Sequence, residues 1–267
     1  MNLCIIGCGN MGLIYSHYFT QQQIVKKENL LLIEKNEARR KELQTKNIAT
    51  IELPVGKGIE SCDIILLAVK PQDFESLISD LKGRLNKNCV VISIMAGVTI
   101  DYLQQALSTS YVVRAMPNAP AMYGTGMTVF CCSKEMQEEQ KLIATKLLAV
   151  TGKIVETKQE EMLNAVTAIS GSGPAYFFYL AKQMINEAIE LGIDAETAEL
   201  MVRQTLLGAG VMLDKSDKTC GDLIKTVASR GGTTEAALNV FEENKMPEII
   251  SQALQSATNR AAELSKQ

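Results

Sequence analysis

The chain contains no tryptophan, one histidine and six prolines among 267 residues, and aromatic residues make up only 5% of it. With a single imidazole, His17, there is no residue set for a histidine-rich metal centre or for two-histidine acid–base chemistry. His17 falls in the first helical stretch, on a face expected to pack, and reads as structural. Seven cysteines are present, Cys4, Cys8, Cys62, Cys89, Cys131, Cys132 and Cys220. The number is odd and no C-x-x-C pair occurs, which excludes the common zinc and dithiol spacings. They read as small buried thiols in a reducing cytoplasm, with Cys8 the one placed for oxidation sensitivity. No apolar run is long enough to span a bilayer. The apolar start lacks a basic flank and reads as a strand, not a signal peptide. Charge bias is also missing: 27 basic against 30 acidic residues leave a net charge of −3. Neither nucleic acid nor a membrane surface is therefore expected as a partner. What remains, 46% hydrophobic and 21% charged residues, describes a soluble globular chain of one large or two ordinary domains.

The most informative feature comes first. Leu3-Cys4-Ile5-Ile6 is an apolar strand that runs into Gly7-Cys8-Gly9-Asn10-Met11-Gly12 and then into a helix. The first glycine permits a tight turn, the second lets a pyrophosphate approach bare backbone, and the third lets helix and strand pack closely. The helix start offers N–H groups and a partial positive charge to phosphates. The flanking strand and helix favour a dinucleotide site over an ordinary turn. They make Gly7, Gly9, Asn10, Met11 and Gly12 cofactor-binding candidates.

The first half alternates strand-like runs (Leu30–Ile33, Asp63–Val69, Cys89–Ile94, Val112–Ala115, Met127–Cys132, Lys153–Val155) with helical patterns at Glu37–Gln44, Phe74–Leu81, Ile100–Leu107 and Met136–Leu148. Such alternation predicts a doubly wound parallel sheet covered on both faces, a Rossmann-type α/β fold. From Gln159 onward only helical periodicity remains: Glu161–Ile169, Pro174–Leu191, Ala195–Leu213, Cys220–Val227, Thr233–Glu243 and Pro247–Ser265. The expected division is a dinucleotide-binding domain over 1–159 and an all-helical domain over 160–267. Apolar stripes such as Leu200, Val202, Leu206, Leu207, Val211, Met212 and Leu213 exceed what so small a helical domain buries alone, which points to a homodimer.

Glu34 ends the second strand at the separation where an acidic side chain accepts from the adenine ribose hydroxyls and repels a 2′-phosphate. It leans toward NADH; Lys35, Arg39 and Arg40 close behind it are the case for NADPH. Three further loops follow apolar strands: Ala68-Val69-Lys70-Pro71, Met95-Ala96-Gly97-Val98 and Met116-Pro117-Asn118-Ala119-Pro120. At the C-terminal ends of parallel strands they would share one ligand crevice. Lys70 would touch cofactor, and Asn118 offers a donor and an acceptor to a carboxamide or water. In the helical half, Ser170-Gly171-Ser172-Gly173-Pro174-Ala175 and Ala228-Ser229-Arg230-Gly231-Gly232-Thr233-Thr234 are glycine-rich. The second leads into a helix and suits a carboxylate.

These motifs together with Arg114-Ala115-Met116-Pro117-Asn118, and with Ser170-Gly171-Ser172-Gly173-Pro174-Ala175-Tyr176 and Gly231-Gly232-Thr233-Thr234 carrying the most weight, resemble the pyrroline-5-carboxylate reductase family along essentially the whole chain. The resemblance implies NAD(P)H-dependent reduction of 1-pyrroline-5-carboxylate, a small-molecule substrate, to proline. It implies a helical dimerisation domain, with dimers able to assemble further. It implies that Ser229, Gly231, Gly232, Thr233 and Thr234 bind substrate, with Thr234 near the ring nitrogen as the catalytic candidate. Ala68, Val69, Lys70, Pro71, Ala96, Gly97 and Asn118 would line the cofactor, and no metal is implied. The chain departs from the family pattern at Arg230, where proline is usual, at Thr219-Cys220 in place of His-Pro, and at Thr226 in place of Asp. Two other readings compete with this one. A β-hydroxyacid dehydrogenase would use Lys182 with Asn186, but Lys182 lies well beyond Gly173. A non-catalytic dinucleotide-binding paralogue is suggested by Arg230 and opposed by the intact Gly231–Thr234 run.

Overall fold

Strand β1 (Leu3–Ile6) is buried at every residue, and so are β2 (Leu30–Ile33), β4 (Ile64–Leu67) and β5 (Val90–Ser93). Apolar side chains on both faces of a strand require cover on both faces. The computed structural model, which describes residues 1–46, 48–52 and 56–265, supplies that cover with α1 (Asn10–Gln21), α2 (Glu37–Lys46), α3 (Pro71–Leu81) and α4 (Ile100–Leu107). Alternate strand residues separate the two cores. Cys4, Ile6, Ile65, Leu67 and Val91 pack with Phe74 and Leu81 of α3 and Leu103 of α4. Leu3, Ile5, Ile64, Leu66 and Val90 pack with Tyr15 and Phe19 of α1 and Leu43 of α2.

With β3 (Thr50–Glu52), β6 (Val112–Met116), β7 (Gly126–Cys132) and β8 (Gly152–Glu156), the eight strands follow the order β3-β2-β1-β4-β5-β6-β7-β8. The order reverses between β1 and β4, the place where doubly wound sheets open a ligand crevice. The all-parallel expectation is corrected at one pair: β6 and β7 are antiparallel. Only a short 3₁₀ turn at Ala119–Tyr123 joins them, and a parallel return needs a crossover of a dozen or more residues. The next connection carries α5 (Glu138–Ala149), and β7 and β8 are parallel. Strand β3 is absent from the sequence-based expectation; three residues with two polar side chains give too little alternation to read.

Two compact units are present: Met1–Ser172 with the chain from Ser256 onward, and Gly173–Gln255. In the first, α6 (Met162–Val166) runs into a π turn over Thr167–Gly171. The glycine-rich Ser170–Ala175 segment is thus helical at its start, not a break, and the Ser172 N–H reaches back to the Thr167 carbonyl at 2.8 Å. The second unit holds α7 (Gly173–Glu190), α8 (Ala195–Lys215), α9 (Cys220–Val227), α10 (Thr233–Glu243) and the start of α11 (Met246–Leu264). Asp194 caps α8 by accepting from the Thr197 N–H, as its position suggests.

This unit leaves much apolar surface exposed, including Phe177, Phe178, Leu200, Leu207 and Leu213; of the predicted stripe on α8 only Val202 is buried. A patch of that kind marks an interaction surface. His17 is exposed, against expectation: the buried face of α1 is Gly12, Tyr15, Ser16 and Phe19, and His17 sits beside that arc. The expectation of buried thiols also needs two corrections, because Cys220, at the start of α9, is exposed and Cys132 is only half-buried.

Candidate active site

Strand register sets the site. Ile6 pairs with Ile33 and with Leu67, Leu67 with Ser93, and Ser93 with Arg114. The segments that follow the first four of these strands, beginning at Gly7, Glu34, Ala68 and Ile94, therefore leave the sheet along one edge, while β6 runs on to Met116. Four predicted cofactor segments meet there because four strands end in the same row.

The glycine turn has three distinct environments. Gly7 has φ +96°, and a Cβ on it would lie 2.7 Å from Val69 Cγ1 and 2.8 Å from the Ala68 backbone. A Cβ on Gly12 would fall 2.0 Å from the Gly7 carbonyl oxygen. These two glycines press the turn onto the Ala68-Val69 loop and onto its own helix. Gly9 differs, for a Cβ there would meet nothing within 4 Å. Gly9 caps α1 with no side-chain cap and no acidic residue in the first turn. The N–H groups of Asn10, Met11 and Gly12 thus have no intrahelical acceptor, and the space beside Gly9 is open. A pyrophosphate fits this arrangement: bare backbone, room beside Gly9 and unopposed positive potential.

Glu34 is buried at the end of β2. One carboxylate oxygen accepts from the Cys8 N–H at 3.2 Å and the other from the Asn36 N–H at 2.8 Å, so the acid is tied to the glycine turn. Lys35 pairs with Asp73 at 2.6 Å, and Arg40 donates to the carbonyls of Glu34 and Lys35. The half-buried Arg39 carries a buried Nε without a hydrogen-bond partner. Burial, reinforced by the Glu34 carboxylate and opposed by Arg39, pushes the Cys8 thiol up to about 12. A buried thiol that stays protonated at neutral pH is a poor nucleophile, which argues against the oxidation sensitivity expected of Cys8.

Lys70 is exposed and opens α3, with Pro71 in the first turn. Ala96 and Gly97 lie in the loop after β5, where Gly97 has φ +79°. Asn118 departs from its expected role. Its Nδ2 donates to the Ser170 carbonyl at 3.2 Å and the Ser170 hydroxyl at 3.3 Å, while its Oδ1 accepts from the Met127 N–H at 2.8 Å. Both ends are committed to shaping the chain. Sequence reasoning assigns no site role to Arg114 or Glu160, an ion pair at 2.9 Å between a buried guanidinium and a half-buried carboxylate. A charged residue inside an apolar strand is the available signal.

In the helical unit, Gly231 has φ +73° and turns the chain into α10, whose N-cap is Gly232. Two amides expected to be open are occupied. The Gly231 N–H donates to Glu235 Oε2 at 2.6 Å, and the Gly232 N–H to the Ser229 carbonyl at 3.0 Å. Glu235 reaches back from the third helical position, as acids at that position commonly do. The first-turn amides of Thr233 and Thr234 have no intrahelical acceptor. Lys182 is exposed on α7.

Comparison with known proteins bears on both units. Residues 160–264 match a family described as pyrroline-5-carboxylate reductase dimerisation, and residues 2–97 one described as NADP oxidoreductase coenzyme F420-dependent. The pyrroline-5-carboxylate reductase of Haemophilus influenzae is 36% identical, covering 98% of this chain and 97% of its own length. A pyrroline-5-carboxylate reductase structure from Coxiella burnetii superposes with TM-score 0.89 at 31% identity, over 100% of this chain and 99% of that one. The Plasmodium falciparum pyrroline carboxylate reductase, solved with NADP bound, gives TM-score 0.88 at 28% identity, over 99% and 98%. Sequence match and fold agree from end to end, and the chain belongs to the pyrroline-5-carboxylate reductase family.

Proposed function

We propose that this chain is an NAD(P)H-dependent oxidoreductase that reduces 1-pyrroline-5-carboxylate to L-proline. The observation that carries the reading is whole-chain membership of the family, together with a glycine turn that leaves space and free amides where a pyrophosphate would rest. Gly7, Gly9, Asn10, Met11 and Gly12 would hold the dinucleotide phosphates, and Glu34 the adenine ribose. Ala68, Val69, Lys70, Pro71, Ala96 and Gly97 would line the rest, with Asn118 holding the loop that borders it. When bound, a reduced nicotinamide supplies the hydride for the C=N carbon. The chain's own task is to orient the imine and to place a proton at its nitrogen. The open amides of Thr233 and Thr234 suit the substrate carboxylate, with Gly231 joining them once Glu235 swings aside. Ser229 and Gly232 shape that turn. The Thr234 hydroxyl is the proton-holding group, so no histidine is needed. Positioning of this sort lowers a barrier by roughly 7–11 kcal/mol in favourable cases.

The exposed apolar helical faces are assigned to a homodimer, and the free thiols to a reducing cytoplasm. The direct test is oxidation of NADH and NADPH, followed by loss of absorbance, with pyrroline-5-carboxylate present. Turnover that needs the imine is the expected result. Tight nicotinamide binding with no oxidation would instead identify a non-catalytic binding protein.

Cofactor choice rests on Glu34 and Arg39. A buried carboxylate fixed against the glycine turn repels a 2′-phosphate, so NADH is the preferred reductant. Glu34→Gln should raise kcat/KM for NADPH by about tenfold, about 1.4 kcal/mol, while changing that for NADH less. A wild-type preference for NADPH that Arg39→Ala abolishes would reverse the assignment, with Arg39 then holding the phosphate.

A further inference from the structure

We propose that Arg114 is a positioning residue for the loop after β5, acting through Glu160 and together with the last turn of α11. The proposal rests on the reading of that loop, with Ala96 and Gly97, as part of the nicotinamide site. Arg114 lies on β6 and is 4% exposed. Its Nη1 donates to Glu160 Oε1 at 2.9 Å, and the same oxygen accepts the Ile100 N–H at 2.9 Å. Ile100 opens α4 directly after the loop, so one carboxylate oxygen joins the buried guanidinium to the loop's exit. The other guanidinium nitrogen, Nη2, lies 3.5 Å from Asn164 Oδ1 and 3.5 Å from Ser265 Oγ. The Ser265 hydroxyl donates to Asn164 Oδ1 at 3.0 Å.

The second hold on the loop comes from α11. A Cβ on Gly97 would lie 2.8 Å from the Leu264 carbonyl oxygen. The loop therefore rests directly on the backbone of the last helical residue, and only glycine allows that approach at φ +79°. The loop is held at its middle by Leu264 and at its exit by Glu160, while Arg114 and Ser265 meet at Asn164. Stability gives little reason for this arrangement, since the cost of taking a guanidinium out of water commonly offsets what its ion pair returns. Its end point on a cofactor loop gives a reason, because a binding loop must be held to within a fraction of an ångström by groups behind it.

The test compares Arg114→Met, Arg114→Lys, Glu160→Gln and a chain ending at Ala261 with the wild type. Nicotinamide affinity is read by fluorescence titration of the reduced cofactor, KM for the imine by turnover, and folding by thermal unfolding. Arg114→Met and the shortened chain should weaken cofactor binding about tenfold, while KM for the imine stays within about twofold. Arg114→Lys keeps the charge and should recover part of the loss. Should Arg114→Met fail to fold, Glu160→Gln and the shortened chain carry the comparison. Folded variants with wild-type cofactor affinity overturn the proposal, and so does an equal rise in the imine KM. A wild-type chain that binds no nicotinamide would instead overturn the cofactor reading beneath it.

Discussion

Gly9→Val should leave the fold standing and remove most nicotinamide binding. The backbone at Gly9, φ −69° and ψ −171°, is ordinary extended chain that valine adopts without strain. A Cβ there meets nothing within 4 Å. The structural loss is confined to a poorer N-cap, about 1 kcal/mol, which moves Tm of a domain this size by about 2–4 °C. The loss in binding is larger, because the open space is the approach to the Asn10, Met11 and Gly12 amides. A branched side chain placed there holds a pyrophosphate away from three donors, and affinity should fall about 100-fold, about 2.7 kcal/mol. Gly12→Ala provides the opposite signature. Its Cβ would stand 2.0 Å from the Gly7 carbonyl oxygen, so the turn itself must shift and thermal stability should fall along with binding. Calorimetric titration with NADH and NADPH, run beside thermal unfolding, separates the two cases. Wild-type affinity in the Gly9→Val chain would remove the phosphate site from this turn.

Much of the fold and of the glycine turn is legible in the sequence because the relevant physics is local. A strand, three spaced glycines and a helix start are set within twelve residues, and each glycine has the environment its position implies. The two-sided sheet is legible because runs such as Ile64-Ile65-Leu66-Leu67 are apolar at every position. What escapes the sequence depends on partners distant along the chain. Nothing near Asn118 shows that Ser170 and Met127 take up its carboxamide. Nothing near Gly231 except the ambiguous Glu235 shows that its N–H is occupied. Arg114 interrupts an apolar strand, yet its meaning requires Glu160, Asn164 and Ser265, which come from two further segments of the chain. The antiparallel β7 follows from the length of a connection, a quantity visible in the sequence but outweighed by the run of β–α alternation before it.

Thr234→Val should lower kcat for imine reduction about 10²–10⁴-fold, the range for losing a positioned proton donor, and leave nicotinamide affinity unchanged. Valine matches threonine in shape and branching, and Thr234 is half-buried at the second position of α10, so packing is retained. The hydrogen bonds that shape the turn run from Gly231 to Glu235 and from Gly232 to Ser229, and the Thr234 hydroxyl is in neither. The backbone amides proposed to hold the carboxylate survive the substitution. KM for the imine should therefore change by less than about threefold, which marks loss of an interaction that matters in the transition state more than in substrate binding. Thr233→Val, one position earlier and exposed, should cost much less if the ring nitrogen faces only the second hydroxyl. If the loss falls on KM instead, the hydroxyl holds the carboxylate and the proton comes from water. If cofactor affinity and turnover fall by the same factor, the Gly231–Thr234 turn is not the substrate's anchor, because removing one hydroxyl that only the imine touches has no route to weaken a separately held dinucleotide.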